Sequence, residues 1–282
     1  MEALLLKRVR HGPPMTVGIA IKCSDGLVVA SDSKATFGRG VPVSKSVSKI
    51  HEIKHDGLEF PVVVMGAGMT AFVDKFLDRI RRDAISKANE KLAGKKLDII
   101  DFTDRVCEPM ASALFKEYCI DRMDLTGGHY SMGLIVAGAT RDGELRAFFV
   151  HQDGLTESIP DYGTVGSGAA YAELFLRDVV STHKQTTAQE AANLALHAVK
   201  GAEIMDPNVG GRAKVVILSC VDAKAGDKTK KTLKIEHFNG SDYTDKRAAK
   251  KMASILREMR HQMGAVQQST GRKSKKKRKA KP

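Results

Sequence analysis

No apolar run in the 282-residue chain approaches the roughly 18 residues needed to cross a bilayer. Leu4 to Leu6, near the start, is too short for the core of a secretion signal. A membrane protein and an exported protein are both disfavoured, and a cytoplasmic location without membrane partners is expected. Cysteine is scarce as well. Cys23, Cys107, Cys119 and Cys220 lie far apart, with no C-x-x-C pair of the kind that holds zinc or cycles between redox states. A disulfide-stapled scaffold is excluded, and the four are expected as reduced, mostly buried thiols. With 8 proline and 25 glycine residues the chain is neither collagen-like nor low in complexity. Internal repeats are absent apart from two pairs of helical patterns.

What is present is the composition of a soluble globular protein, 42% hydrophobic against 28% charged, in a chain long enough to bury a large core. The net charge of +13 suggests an anionic partner until it is located. Arg272, Lys273, Lys275, Lys276, Lys277, Arg278, Lys279 and Lys281 supply eight of those charges, so the rest of the chain is only mildly basic. Aromatic residues do not interleave this cluster, which argues against stacking on bases. The expectation is a solvated tail, able at most to meet an anionic partner nonspecifically or to serve as a nuclear address. A sequence-specific DNA-binding protein is the alternative outside this class.

Residues 1–15 read as a leader that ends in Gly12-Pro13-Pro14. A translation start at Met15 is equally open. The packed domain is expected over 16–240. Val17, Ile19, Ile21 and Cys23 alternate with Gly18, Ala20 and Lys22, and Ser24-Asp25-Gly26 turns the chain into Leu27-Val28-Val29-Ala30, which predicts a β-hairpin. Strands are expected near 48–53, 60–66, 131–139, 145–150, 162–165, 213–220 and 232–238. Helices are expected near 72–85, 100–118, 169–182 and 187–204, the first from the spacing of Phe72, Val73, Phe76, Leu77, Ile80 and Ile85. This order predicts an α+β fold, a four-layer α-β-β-α sandwich rather than an alternating βαβ sheet. Residues 241–265 read as a basic amphipathic helix and 266–282 as a disordered tail.

The chemistry-bearing residues fall at the ends of these elements. Thr16 opens the first strand, and Asp32 follows the second, so the hairpin brings the two to one end of a sheet. Lys49 stands at the head of the next strand, and Gly66-Ala67-Gly68 lies where a strand meets a helix. Each signal alone has an ordinary structural explanation, in strand preference, turn formation or close packing.

Taken together and in order, these segments resemble the β-type subunits of the proteasome, and thus the N-terminal nucleophile hydrolases, over about Thr16 to Cys220. Gly166-Ser167-Gly168-Ala169-Ala170-Tyr171-Ala172 resembles that family's G-S-G-x-x-Y-A loop, and Asp206 with Gly210-Gly211 its D-x-x-S-G-G segment. The resemblance implies Thr16 as nucleophile, Asp32 and Lys49 as its charged partners, Gly68 as oxyanion donor, and Ser167 with Asp206 ordering the amine. It also implies a ring of homologous subunits, unfolded protein or peptide substrates, and no metal or cofactor. The closest likeness is to the trypsin-like β-type subunit, which would make Ala35, Gly66, Thr70 and Asp74 the substrate pocket. In one departure, Val209 stands where the family has a serine; in another, Met15 rather than glycine precedes Thr16. A catalytically inactive ring subunit and a threonine-dependent transpeptidase or amidohydrolase stay open beside the endopeptidase. Two weaker motifs are set aside. His51-Glu52-Ile53-Lys54-His55 spells H-E-x-x-H in a strand-like stretch, where residues four apart are too distant to share zinc. No G-K-S/T follows the glycines at 163–168, which argues against nucleotide binding.

Overall fold

The structure is a computed structural model that describes residues 16–37, 43–122, 131–180, 186–222 and 231–238. The leader, the helix expected near 244–264 and the basic tail lie outside the described residues. The chain divides into a unit ending at Asn239 and a second beginning at Gly240, and every described residue belongs to the first.

Twelve strands are described: β1 (Gly18–Lys22), β2 (Leu27–Ser31), β3 (Lys34–Phe37), β4 (Val43–Ser46), β5 (Ile50–Ile53), β6 (Val62–Gly68), β7 (Met132–Ala139), β8 (Leu145–Val150), β9 (Thr156–Ser158), β10 (Tyr162–Val165), β11 (Lys214–Asp222) and β12 (Lys231–Phe238). Two five-stranded sheets, in the orders β10-β1-β2-β11-β12 and β5-β6-β7-β8-β9, pack face to face, and β3 and β4 form a separate hairpin. All neighbouring strands in these sheets run antiparallel. The helices are α1 (Thr70–Arg79), α2 (Ile85–Lys91), α3 (Ile99–Phe102), α4 (Glu108–Phe115), α5 (Ala169–Val180) and α6 (Ala188–Met205). The π-helical turn Ile80–Ala84 joins α1 to α2, Thr103–Cys107 joins α3 to α4, and Lys116–Asp121 prolongs α4. The result is the four-layer α-β-β-α sandwich that the element order predicts.

Two apolar layers explain the sequence pattern. On β6, Val62 and Val64 meet Phe72, Phe76, Leu77 and Phe102 of the helices, whereas Val63, Met65 and Ala67 meet the opposite sheet. A strand covered on both faces reads as a continuous apolar run, although this sheet is antiparallel. The layer between the sheets is rich in small side chains, among them Ala20, Ala67, Ala137, Ala139 and Ala147. Ala20 is fully buried like Ile19 and Ile21, so the alternation along β1 separates two apolar layers rather than core from solvent. On the other side of the molecule α6 lays Ala191, Ala192, Ala195, Ala198 and Ala202 inward. Gly201 lets α5 approach, since a Cβ there would stand 2.2 Å from the Phe175 ring. A capping box at Thr187 and Glu190 starts this helix, and Asp25 in the first hairpin's turn accepts from the Ala188 N–H at 2.7 Å.

Three strands escape the sequence pattern. The β3–β4 hairpin is mostly polar, with Lys34 paired to Ser46 and Thr36 to Ser44, and β9 is a three-residue polar edge strand. The cysteines need a correction. All four are free, but only Cys107 is buried, while Cys23, Cys119 and Cys220 are half-buried. Burial pushes the Cys23 thiol up to about 12, with the nearby Asp25 adding to the shift. Among the described residues no helix is long and apolar enough to cross a membrane.

Phe76 sits at the centre of the helix-facing layer, fully buried. Phe76→Ala should cost about 3–5 kcal/mol, read as a lower urea midpoint at unchanged slope.

Candidate active site

The first hairpin sets the site. Gly18 of β1 lies opposite Ser31 of β2, and the Asp32 N–H donates to the Val17 carbonyl at 3.3 Å, so Thr16 and Asp32 leave the sheet side by side. Lys49 arrives from the other sheet, just before β5, where its carbonyl accepts from the Gly66 N–H of β6 at 2.9 Å. The site therefore bridges the two sheets.

Its centre is the Lys49 ammonium, which donates to Thr16 Oγ1 and to Asp32 Oδ1, both at 2.7 Å. The side chains of Lys49 and Asp32 are 4% and 0% exposed, so this ion pair is shielded from solvent and salt. Asp32 is held by three backbone donors as well. The Val17 N–H reaches Oδ1 at 3.1 Å, and the Lys34 and Gly210 N–H groups reach Oδ2 at 3.2 and 3.1 Å. Burial pushes the Lys49 ammonium below the ordinary lysine value, while the charge and hydrogen bond of Asp32 act to hold it up.

A second arm reaches the backbone nitrogen of Thr16. Its N–H donates to Ser167 Oγ at 3.4 Å, and the Ser167 hydroxyl donates to Asp206 Oδ2 at 2.9 Å. The Asn208 N–H fixes the other oxygen of Asp206 at 2.9 Å. The glycines on either side of Ser167 have a steric reason. Gly166 lies at φ +96°, and a Cβ there would fall 2.1 Å from the Thr16 carbonyl oxygen, which the Gly168 N–H also holds at 3.1 Å. Val209 is buried in this arm, with Cγ2 only 2.8 Å from where a Cβ on Gly168 would stand.

A cleft of about 200 Å³ opens in front of Thr16 Oγ1. Of the sequence-predicted residues, Thr16, Lys49, Gly66, Gly68, Thr70 and Asp74 line it. Ala35 lies outside that lining, buried on β3 opposite Lys45. Gly68 has φ +115°, and a Cβ there would overlap the Ser131 carbonyl at 2.3 Å, so the strand end admits glycine alone. Gly66 has the helix against it, since its Cβ would meet Val73 Cγ1 at 2.3 Å.

His51 is the cleft residue that the sequence reading sets aside as part of H-E-x-x-H. It belongs to β5, two residues from Lys49 in extended chain, and this spacing was the available signal for a shared face. His55 lies beyond the strand and accepts from the Gly57 N–H at 2.9 Å. Burial, above all, with the Arg81 guanidinium and Lys214, pushes the His51 imidazole below its ordinary value against the pull of Asp74. A neutral His51 leaves Asp74 as the acidic side chain of the cleft lining. Among the described residues no three His, Cys, Asp or Glu side chains cluster so as to hold a metal ion.

A hydroxyl beside a buried ammonium, a polar arm on its own nitrogen and a glycine-edged cleft together form a frame for acyl chemistry at Thr16. Known proteins share the frame's fold. The Anbu complex of Pseudomonas aeruginosa, solved as a helical assembly, aligns at TM-score 0.61 and 19% identity over 87% of this chain and 96% of its own. Anbu from Yersinia bercovieri, described as an ancestral β-subunit, aligns at TM-score 0.60 and 17% identity over 89% and 96%. An Anbu mutant from Hyphomicrobium sp. strain MC1 gives TM-score 0.56 and 17% identity over the same shares. A search of curated protein sequences returns no match. The family described as "Proteasome subunit" matches residues 15–218, which include the strands from β1 to β10, part of β11 and all the site residues named above. With that match over most of its length, the chain belongs to the proteasome subunit family.

Proposed function

We propose that the protein is a threonine-type endopeptidase, a β-type subunit of a proteasome-like compartmentalised protease, which cleaves peptide bonds through Thr16 once that residue is N-terminal. The observation that carries this reading is the Lys49 ammonium, buried and 2.7 Å from both Thr16 Oγ1 and Asp32 Oδ1. Positive charge at that distance lowers the proton affinity of the hydroxyl, which is otherwise a poor nucleophile.

The steps follow from these positions. The freed Thr16 amine, directly or through a water, takes the proton of Oγ1, and Oγ1 attacks the scissile carbonyl carbon. The Gly68 N–H meets the oxyanion of the tetrahedral intermediate, a contact of the kind worth about 3 kcal/mol. The amine then passes its proton to the leaving nitrogen as the C–N bond breaks, leaving an ester on Thr16. Water, deprotonated by the same amine, hydrolyses the ester and restores the hydroxyl. Ser167 and Asp206 keep the amine in register throughout. No metal or cofactor enters this scheme.

Asp74 at the cleft, beside a neutral His51, favours a basic side chain before the scissile bond, the preference of the trypsin-like subunit. The Anbu complex of Pseudomonas aeruginosa is a helical assembly, and this supports homologous subunits as partners here. Unfolded protein or peptide in the cytoplasm is the proposed substrate. One observation favours a second reading, an inactive structural subunit. Val209 brings a methyl group, not a hydroxyl, to the arm that orders the amine.

Intact mass and N-terminal sequencing of the purified protein separate the two readings. The peptidase reading expects Thr16 as the first residue and complete loss of peptide hydrolysis in Thr16→Ala; a chain that keeps residues 1–15 and hydrolyses nothing selects the structural subunit. For the active form, kcat/KM should rise with pH as the Thr16 amine loses its proton. Asp74→Asn should lower kcat/KM about tenfold for peptides with lysine or arginine before the cleaved bond and leave those with leucine unchanged, as measured with paired fluorogenic substrates.

A further inference from the structure

We propose that Lys34 is a positioning residue that ties the loop carrying Asp206 to the turn carrying Asp32, so that the two arms on Thr16 move as one body. The catalytic part of this inference rests on the reading of Thr16 as nucleophile.

The loop 206–211 leaves α6 and carries Asp206, whose carboxylate holds Ser167 and through it the Thr16 nitrogen. Its far end is fixed by backbone. The Gly210 N–H donates to Asp32 Oδ2 at 3.1 Å, and the Gly210 carbonyl accepts from the Ser33 and Lys34 N–H groups at 3.1 and 2.9 Å. Its near end is Pro207, which has no N–H and offers only a carbonyl. The Lys34 ammonium donates to that carbonyl at 2.6 Å. Lys34 thus holds the loop at both ends, by its backbone at Gly210 and by its side chain at the residue next to Asp206.

Val209 gives this tie its weight. The residue faces Gly168 with a branched apolar side chain, so between Pro207 and Gly210 the loop gains a packing contact and no side-chain hydrogen bond from position 209. A packing contact is non-directional and does not fix the azimuth of the neighbouring Asp206 carboxylate. Ser167 and the Asn208 N–H bond the Asp206 carboxylate itself, and the directional bond that ties this near end of the loop to the Asp32 turn is Lys34 Nζ to the Pro207 carbonyl. The pair lies near the surface, so the side chain is removable without opening a core cavity.

The test compares the full-length protein with Lys34→Met, which keeps the aliphatic stem, and Lys34→Arg, which keeps a donor. Two readouts apply to each: peptide hydrolysis, and amide hydrogen exchange at Asn208, Val209 and Gly210. Lys34→Met should lower kcat by about 10- to 100-fold, the usual consequence of a group displaced by about an ångström, with KM within about twofold and melting temperature unchanged. Exchange at the three amides should quicken about tenfold or more, and Lys34→Arg should return both readouts to near the original. Unchanged kcat with unchanged exchange, or an arginine variant as impaired as the methionine one, overturns the proposal. Should the original protein hydrolyse no peptide, the threonine reading fails by itself and exchange alone decides the tie. Quickened exchange in Lys34→Met then upholds it, and unchanged exchange overturns it.

Discussion

The buried contact between Lys49 and Asp32 is the constraint around which the rest of the molecule is arranged. Two opposite charges shielded from water are tolerated only when each is fully paired, and removal of one partner from such a pair typically costs about 3–5 kcal/mol. The fold meets that condition by bringing three backbone N–H groups to Asp32 from three separate segments, at Val17, Lys34 and Gly210. Those three segments are the residues leading into β1, the start of β3 and the loop after α6. The carboxylate therefore acts as a node that joins the first hairpin, the β3–β4 hairpin and the second helix pair, while Lys49 adds the other sheet.

The same arrangement governs what the cleft can do. The ammonium spends its charge on Asp32 and on the Thr16 hydroxyl, and His51 is driven toward neutrality by burial and by the cations around it. Beyond Thr16 and Lys49 the cleft is lined by Val47 and Val73, the glycines, the polar side chains of Ser48, His51 and Thr70, and a single carboxylate, Asp74. The glycines carry as much of this design as the charged groups. Gly66 admits Val73, Gly68 admits Ser131, and Gly166 admits the carbonyl of Thr16, so each close approach depends on the absence of a side chain.

Much of this was legible in the amino-acid sequence, and the reasons differ from element to element. Period-two and period-four patterns located the core strands and helices because each is covered by apolar neighbours; β7, β8 and β10 match their expected ranges within a residue. Thr16, Asp32, Lys49, Gly68, Ser167 and Asp206 could be named only together, because each alone has an ordinary structural explanation and it was their order along the chain that resembled the proteasome β-type subunits. The donors on Asp32 could not, since a backbone N–H carries no residue signature. The β3–β4 hairpin escaped because its residues are polar, and its position is set by the Asp32 turn rather than by a core of its own. His51 was hidden by a motif that belongs to helices, although its two-residue spacing from Lys49 already put both on one face of an extended chain.

Thr16 is gripped from behind. Its carbonyl is held by the Gly168 N–H and its side chain by Lys49, and both holds lie on the C-terminal side of the peptide bond that joins it to Met15. None of them depends on whether that bond is intact. Under the proposed function the unprocessed chain would be a zymogen whose polar frame around Thr16 is already assembled, and activation would be a subtraction, the cutting of one bond that supplies the missing base.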